Sequence, residues 1–252
     1  MGKRIDTFRE QLTSGGITTG TFLKTPSSIV CEVLGLSKLD VVCIDTEHAP
    51  FGRLETDQCI GALRAADMPS LVRVASDSPH DIRAALDSGA SGIVVPHVTS
   101  VEQAETIVRA TRFGEGGRGY AGSPRAAGYT TRTMKEHLAY SNDHTVVVAQ
   151  IEDIAALENV AQIAGVDGID ALFVGRVDLA VAMQKAVSDR DVIATVEDIC
   201  AAASEAGTAV GLFTPDVDEI PGWIDKGASL FLLGSDHAFL LSGANALADL
   251  IA

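Results

Sequence analysis

The chain has 252 residues, is 46% hydrophobic and carries a formal net charge of -15. That is enough apolar material for a sizeable core, and the wrong charge for nucleic acid or an anionic membrane surface. An anionic small-molecule substrate stays open, because it responds to the local field rather than the total.

A short amphipathic helix opens the chain at residues 5–13. Strand-like apolar runs then alternate with helix-period segments: strand 18–23, helix 28–36, strand 40–44, helix 55–66, strand 70–74, helix 79–87, strand 92–96 and helix 101–110. The second half continues with strand 145–151, helix 154–164, strand 171–174, helix 191–206, strand 209–213, helix 216–226, strand 229–233 and a last helix over about 238–251. Eight strands, each followed by a helix, predict an α/β fold of the (β/α)8 TIM barrel type with parallel strands. No Gly-x-Gly-x-x-Gly follows the first strand, which argues against a doubly wound sheet. No linker or composition shift divides the chain, so residues 1–252 are read as one domain. A faint repeat agrees: Asp87-Ser88-Gly89-Ala90 and Asp225-Lys226-Gly227-Ala228 each close a helix and open a strand, with Gly89 and Gly227 as left-handed C′ residues.

Residues 111–142 break the even spacing. They hold six glycines together with Arg112, Arg118, Arg125 and Arg132. A long irregular loop of this kind is usually functional or disordered, and with four arginines contact with an anion or a neighbouring subunit is expected. Cys31, Cys43, Cys59 and Cys200 lack Cys-x-x-Cys spacing and read as buried thiols of a reducing compartment. The basic N-terminus has no apolar run behind it, and Met1-Gly2 lacks a myristoylation context because Asp6 stands where a hydroxyl residue is needed. No run approaches the roughly 20 apolar residues of a membrane span. A soluble, cytoplasmic protein with no nucleic-acid or membrane partner is expected.

Chemistry gathers where the strands end. In Leu39-Asp40-Val41-Val42-Cys43-Ile44-Asp45-Thr46-Glu47-His48-Ala49-Pro50 a dry strand runs directly into carboxylates and an imidazole. Glu47 and His48 follow the second strand, Arg73 ends the third, Gln150 and Glu152 the fifth, Asp178 the sixth, and Ser235 and Asp236 the eighth. On a barrel these positions face one mouth. Glu152 and Asp178 are hard oxygen donors that suit Mg²⁺ or Mn²⁺, or else caps of the segments that follow them. Arg73 is a fixed cation for a carboxylate or enolate oxygen, or one half of a surface ion pair. No lysine is expected at a strand end, so a Schiff-base mechanism would lack its nucleophile.

Asp45-Thr46-Glu47-His48-Ala49-Pro50, Leu71-Val72-Arg73, Gly89-Ala90 leading to Val95-Pro96, Gly117-Arg118-Gly119, Gln150-Ile151-Glu152 and Gly175-Arg176-Val177-Asp178-Leu179 occur in the order found in the HpcH/HpaI aldolases. The chain thus resembles these metal-dependent (class II) pyruvate aldolases over nearly its whole length. The resemblance implies reversible cleavage of 4-hydroxy-2-oxo acids to pyruvate, or a related 2-oxo acid, and an aldehyde. It implies Glu152 and Asp178 as ligands of Mg²⁺ or Mn²⁺, with Co²⁺ as a further option. It also implies His48 as general base acting on or through a metal-bound water, and Asp87 as the carboxylate that raises its basicity. Arg73 would stabilise the enolate, and Gln150, Asp178 and the backbone around Val177 would contact the 2-oxo acid. A C-terminal helix swapped between subunits, with dimers assembled into hexamers, is implied too. The sixth-strand loop departs from the family's Gly-Pro-x-Asp-Leu-Ser, with Arg176 for proline and Ala180 for serine, so Arg176 is expected to alter acceptor choice or subunit contacts. The competing readings are a citrate- or malyl-CoA-type thioester lyase and a non-catalytic barrel that binds a metal-oxoacid complex.

Overall fold

The computed structural model describes residues 4–251, and the Met1-Gly2 reading lies outside them. The chain opens with α1 (Arg4–Thr13), β1 (Thr18–Leu23), α2 (Ser28–Gly35), β2 (Val41–Asp45), α3 (Arg53–Ala65), β3 (Ser70–Arg73), α4 (Pro79–Asp87), β4 (Gly92–Val95) and α5 (Val101–Thr111). It continues with α6 (Met134–His144), β5 (Val146–Ile151), α7 (Val160–Ala164), β6 (Ala171–Val174), α8 (Arg176–Ala182), α9 (Arg190–Ala206), β7 (Ala209–Phe213), α10 (Ile220–Ile224), β8 (Leu230–Ser235) and α11 (Asp236–Ala248). The strands pair in parallel, in sequence order, as a closed barrel of eight. Pairing of β1 with β8, Thr18 opposite Leu230, completes the ring. The closure needs Gly20, where a Cβ would stand 2.7 Å from the Val41 carbonyl oxygen and 2.8 Å from Leu232.

The core has two layers because every strand is dry on both faces. Along β2, Val42 and Ile44 join the shell between strands and helices, while Val41 and Cys43 point into the barrel with Leu71, Val94, Val148 and Leu232. Helix α1 closes the floor: Phe8 and Leu12, one turn apart, are buried in that same inner cluster. All four cysteines are buried free thiols. Among the described residues, no helix is long and apolar enough to cross a membrane.

Two helices escape the sequence reading. Helix α6 lies inside the stretch expected to be irregular, and its signal was the capping box Thr133-x-x-Glu136, in which each side chain bonds the other residue's N–H. Helix α8 begins at Arg176, directly after the sixth strand. Three of the four arginines of the irregular segment bind their own chain. Arg118 pairs with Asp87, Arg125 holds Asp57 and the Ser88 carbonyl, and Arg132 bonds the Ala126 carbonyl and covers the Tyr140 ring at 3.8 Å. These contacts tie α3, α4 and α6 together. Helix α11 stands away from the barrel instead: only Asp236 is buried, and Leu240, Leu241 and Leu247 are more than 60% exposed.

Candidate active site

The strand register builds the site. Asp45 and Arg73 end neighbouring strands as direct partners, so the guanidinium grips the carboxylate with two bonds, Nε to Oδ1 at 3.0 Å and Nη2 to Oδ2 at 2.7 Å. Asp45 is fully buried, and its Oδ1 also accepts the His48 N–H at 3.1 Å. Burial opposes its ionisation, but the Arg73 bonds outweigh burial and hold the carboxyl below the usual aspartate range. The ring of Phe22 lies 4.6 Å from the guanidinium. Arg73 is thereby immobilised through Nε and Nη2. Glu47 stands 3.3 Å from Arg73 Nε and 3.7 Å from His48 Nε2, and burial pushes its carboxyl up.

The other wall comes from β5 and β6. Gln150 and Glu152 are two residues apart and therefore share one face of the chain; Gln150 Nε2 donates to Glu152 Oε2, and Glu152 Oε1 accepts the His97 N–H at 2.9 Å. Asp178 lies in the first turn of α8. The two carboxylates meet over Gly175, where a Cβ would stand 2.8 Å from Glu152 Oε2 and 3.5 Å from Asp178 Oδ2. Glycine thus keeps open a cradle between two hard oxygens. Gln150 Oε1, also buried, has no hydrogen-bond partner among the described residues. Such a donor set fits a divalent ion and a chelating oxoacid. Lys24, His48, Arg73, Gln150, Val177 and Asp178 line one cavity of about 290 Å³, backed by Phe22, Phe173 and Phe213.

Some expectations change. Within one chain the structure does not bring Asp87 to His48. Asp87 closes α4 at the opposite end of the barrel from the strand termini, and its carboxylate is bonded to Arg118. The carboxylate near His48 is Glu47. A lysine does stand at a strand end: Lys24 follows β1 directly, and Nζ lies 3.1 Å from Asp45 Oδ2. An ammonium paired with a buried carboxylate is no free amine, so the Schiff-base route still lacks its nucleophile. Asp236 holds the β1 loop by accepting the N–H groups of Lys24 and Thr25, and Ser235 caps α11. Arg176 lines the same cavity, and its guanidinium bonds Glu219 at 2.8 Å. His97, which the sequence reading passed over, packs against Glu47, Glu152 and Asp153; its one signal was its place directly after Val95-Pro96.

A family model described as HpcH/HpaI aldolase/citrate lyase matches residues 18–242, from the first strand into the last helix. The chain belongs to this family. It is 31% identical to a hydroxypyruvate/pyruvate aldolase of Roseovarius nubinhibens, over 95% of this chain and 94% of that one. It is 33% identical to a 5-keto-4-deoxy-D-glucarate aldolase of Salmonella arizonae, over 96% and 95%. A crystal structure of an HpcH/HpaI aldolase/citrate lyase family protein from Burkholderia cenocepacia superposes with a TM-score of 0.92 at 30% identity, covering 98% of this chain and all of the other. As an HpcH/HpaI family barrel, the chain keeps its polar set at the strand termini and its buried apolar layers behind them.

Proposed function

We propose that this family member is a divalent-metal-dependent carbon–carbon lyase that reversibly cleaves 4-hydroxy-2-oxo acids to pyruvate, or a related 2-oxo acid, and an aldehyde. The aldolase names of the relatives at 31% and 33% identity support this class over a thioester lyase. The observation that carries it is the pair of carboxylate oxygens, from Glu152 and Asp178, that flank Gly175, with Gly175 and Asp178 lining one cavity with Arg73, Gln150 and His48.

Glu152 and Asp178 would hold the metal, with Mg²⁺ or Mn²⁺ the natural occupants of two carboxylates and Co²⁺ a further candidate. When bound, the ion supplies Lewis-acid stabilisation of the oxoacid carbonyl. Gln150 and the backbone at Val177 and Asp178 would orient the oxoacid. His48, at the rim, takes the proton of the 4-hydroxyl. The C3–C4 bond then breaks: C4 leaves as the aldehyde, and its electron pair enters the enolate. Arg73, immobilised by Asp45, presents Nη1 to the enolate oxygen without reorganising. Return of that proton from His48 to C3 completes the 2-oxo acid and regenerates the base. Any support Asp87 gives His48 comes across a subunit boundary, because within one chain the two lie at opposite ends of the barrel. Such a boundary has a candidate in α11, whose exposed leucines suit a helix exchanged between two copies, with hexamers built from such dimers. The four buried thiols suit a reducing, cytoplasmic setting.

Deuterium exchange into the pyruvate methyl group, followed by NMR in D2O with Mg²⁺, Mn²⁺ or EDTA, tests the reading. Metal-dependent exchange that is lost in Glu152→Ala and His48→Ala is expected. No exchange in the wild type with any metal refutes enolate formation here.

A further inference from the structure

The end of the barrel opposite the mouth holds a cavity that the aldol chemistry does not use. It measures about 30 Å³, lies where α1, α3, α4 and α6 meet, and is lined by Arg64, Ser91, Arg118, His137, Tyr140 and Thr145 among others. Ser91 and Thr145 stand directly before β4 and β5, which fixes the cavity at the floor. Such a volume takes roughly one or two groups the size of a water molecule. A halide enters it, whereas phosphate or a nucleotide does not.

The lining is one-sided. Its arginines, histidines and hydroxyl residues bring N–H and O–H donors, and none of the residues that line it is a carboxylate. Two carboxylates bond to lining residues from outside: Asp87 accepts from Arg118 Nε at 3.2 Å and Nη2 at 2.5 Å, and Asp6 accepts the Tyr140 hydroxyl at 2.7 Å. On a chain of net charge -15, the guanidinium groups of Arg64, Arg83, Arg118 and Arg132 all bear on groups of this lining.

Two different side chains lack what an anion supplies. His137 is 1% exposed, yet its Nδ1 has no hydrogen-bond partner among the described residues. Phe113 and Tyr120 meet the imidazole as rings, with centroids at 5.2 and 5.8 Å. A buried ring nitrogen without a partner is costly. Arg118 is the second case. Its side chain is 2% exposed, while that of Asp87 is 22% exposed and shares its charge with solvent. Burial outweighs the Asp87 bonds and pulls the guanidinium below the usual arginine value, so its charge is incompletely matched. A water molecule would satisfy the ring nitrogen but not the charge. Arg118 also belongs to the arginine-rich segment whose composition predicts contact with an anion.

We propose that this floor cavity binds one halide-sized monovalent anion, chloride being the natural occupant, held by Arg64, Arg118 and His137. Arg64 is steadied for this by its bond to the Gly89 carbonyl at 3.1 Å. The ion joins α3, the arginine-rich segment and α6, and so fastens the floor. Nothing in this inference rests on the aldolase reading of the mouth.

The test compares calorimetric melts of the full-length protein at pH 8 and fixed metal concentration, in sodium chloride and in sodium gluconate of equal ionic strength. Gluconate screens equally and is too large to enter. In chloride above its Kd the Tm of the wild type is expected to climb by about 3–5 °C for each tenfold rise in concentration, beyond any change in gluconate. His137→Phe, which keeps the ring packing and removes the ring nitrogens, is expected to melt alike in the two salts. Anomalous diffraction from wild-type crystals grown in bromide locates the ion directly, whether or not that variant folds, and a peak in the floor cavity is expected. Wild-type melts that match in the two salts overturn the site. Bromide found only elsewhere, an adventitious ion, with water in the cavity overturns it equally.

Discussion

Asp45 is expected to be the residue whose charge the mouth can least do without. In Asp45→Asn the side chain keeps its shape and loses its charge, leaving the buried Arg73 without its bidentate partner. Breaking a buried pair from one side costs about 3–5 kcal/mol. Glu47 remains 3.3 Å from Arg73 Nε, which places the loss near the lower end, and the partly exposed Lys24 adds little. A destabilisation of ~3 kcal/mol in a barrel of this size lowers Tm by roughly 6–12 °C. The carboxyl of Asp45 titrates below its unfolded value, so its contribution is present above about pH 4 and is lost as the pH falls through the lower folded value. Calorimetric melts of wild type and variant should therefore differ at pH 7 and converge as the pH drops below about 4. Equal melting temperatures at pH 7, or a gap that persists unchanged into acid, would refute the assignment of Asp45 as the anchor of Arg73.

Gly175→Ala places a methyl 2.5 Å from Glu152 Cβ and 2.8 Å from its Oε2; a stability loss of about 1–3 kcal/mol is expected, with metal-dependent methyl exchange falling on the order of 100-fold, and wild-type exchange would show that the cradle is not used. All four thiols are buried, and although the bond with Cys31 pulls the Cys59 thiol down, burial pushes Cys43 up to about 12 and Cys200 up to about 11; an aromatic disulfide reagent at pH 8 should therefore reach no thiol in the native protein and four after denaturation, and rapid native labelling would contradict the packing. Arg176→Pro removes the guanidinium that bonds Glu219 and lies 5.7 Å from Trp223; a shifted ranking of aldehydes in competition assays is expected, and unchanged ranking together with unchanged assembly would remove Arg176 from acceptor choice.

The barrel was legible because a strand dry on both faces leaves an uninterrupted apolar run. The predicted strands 171–174 and 209–213 coincide with those observed; strand 18–23 does too, although three threonines interrupt its apolar run. Polar residues that end such runs are equally legible, since nothing else in a dry core tolerates them. Thus the sequence pattern alone places Arg73, Gln150, Glu152 and Asp178 at the mouth. Helix α6 was obscured by the glycines and arginines preceding it, although Thr133 and Glu136 carried its start.

The remaining differences share one physical origin. Which end of the barrel a helix-borne residue reaches depends on its position along the helix, not on the motif around it. Asp87 sits in the last turn of α4, so its carboxylate is delivered to the floor, where Arg118 meets it. His97 is the converse case. Nothing in Val95-Pro96-His97 announces a positive φ, since a histidine there is ordinarily extended. The bond from its N–H to Glu152 selects the turn, and Asp153, 56 residues on in sequence yet adjacent in space, orients the ring. Residues that act from the end of a strand are fixed by local pattern; residues that act through a turn are fixed by the partner the turn finds. His97 belongs to the second kind, so its contribution is measured through Glu152, the residue that ties it to the rest of the site.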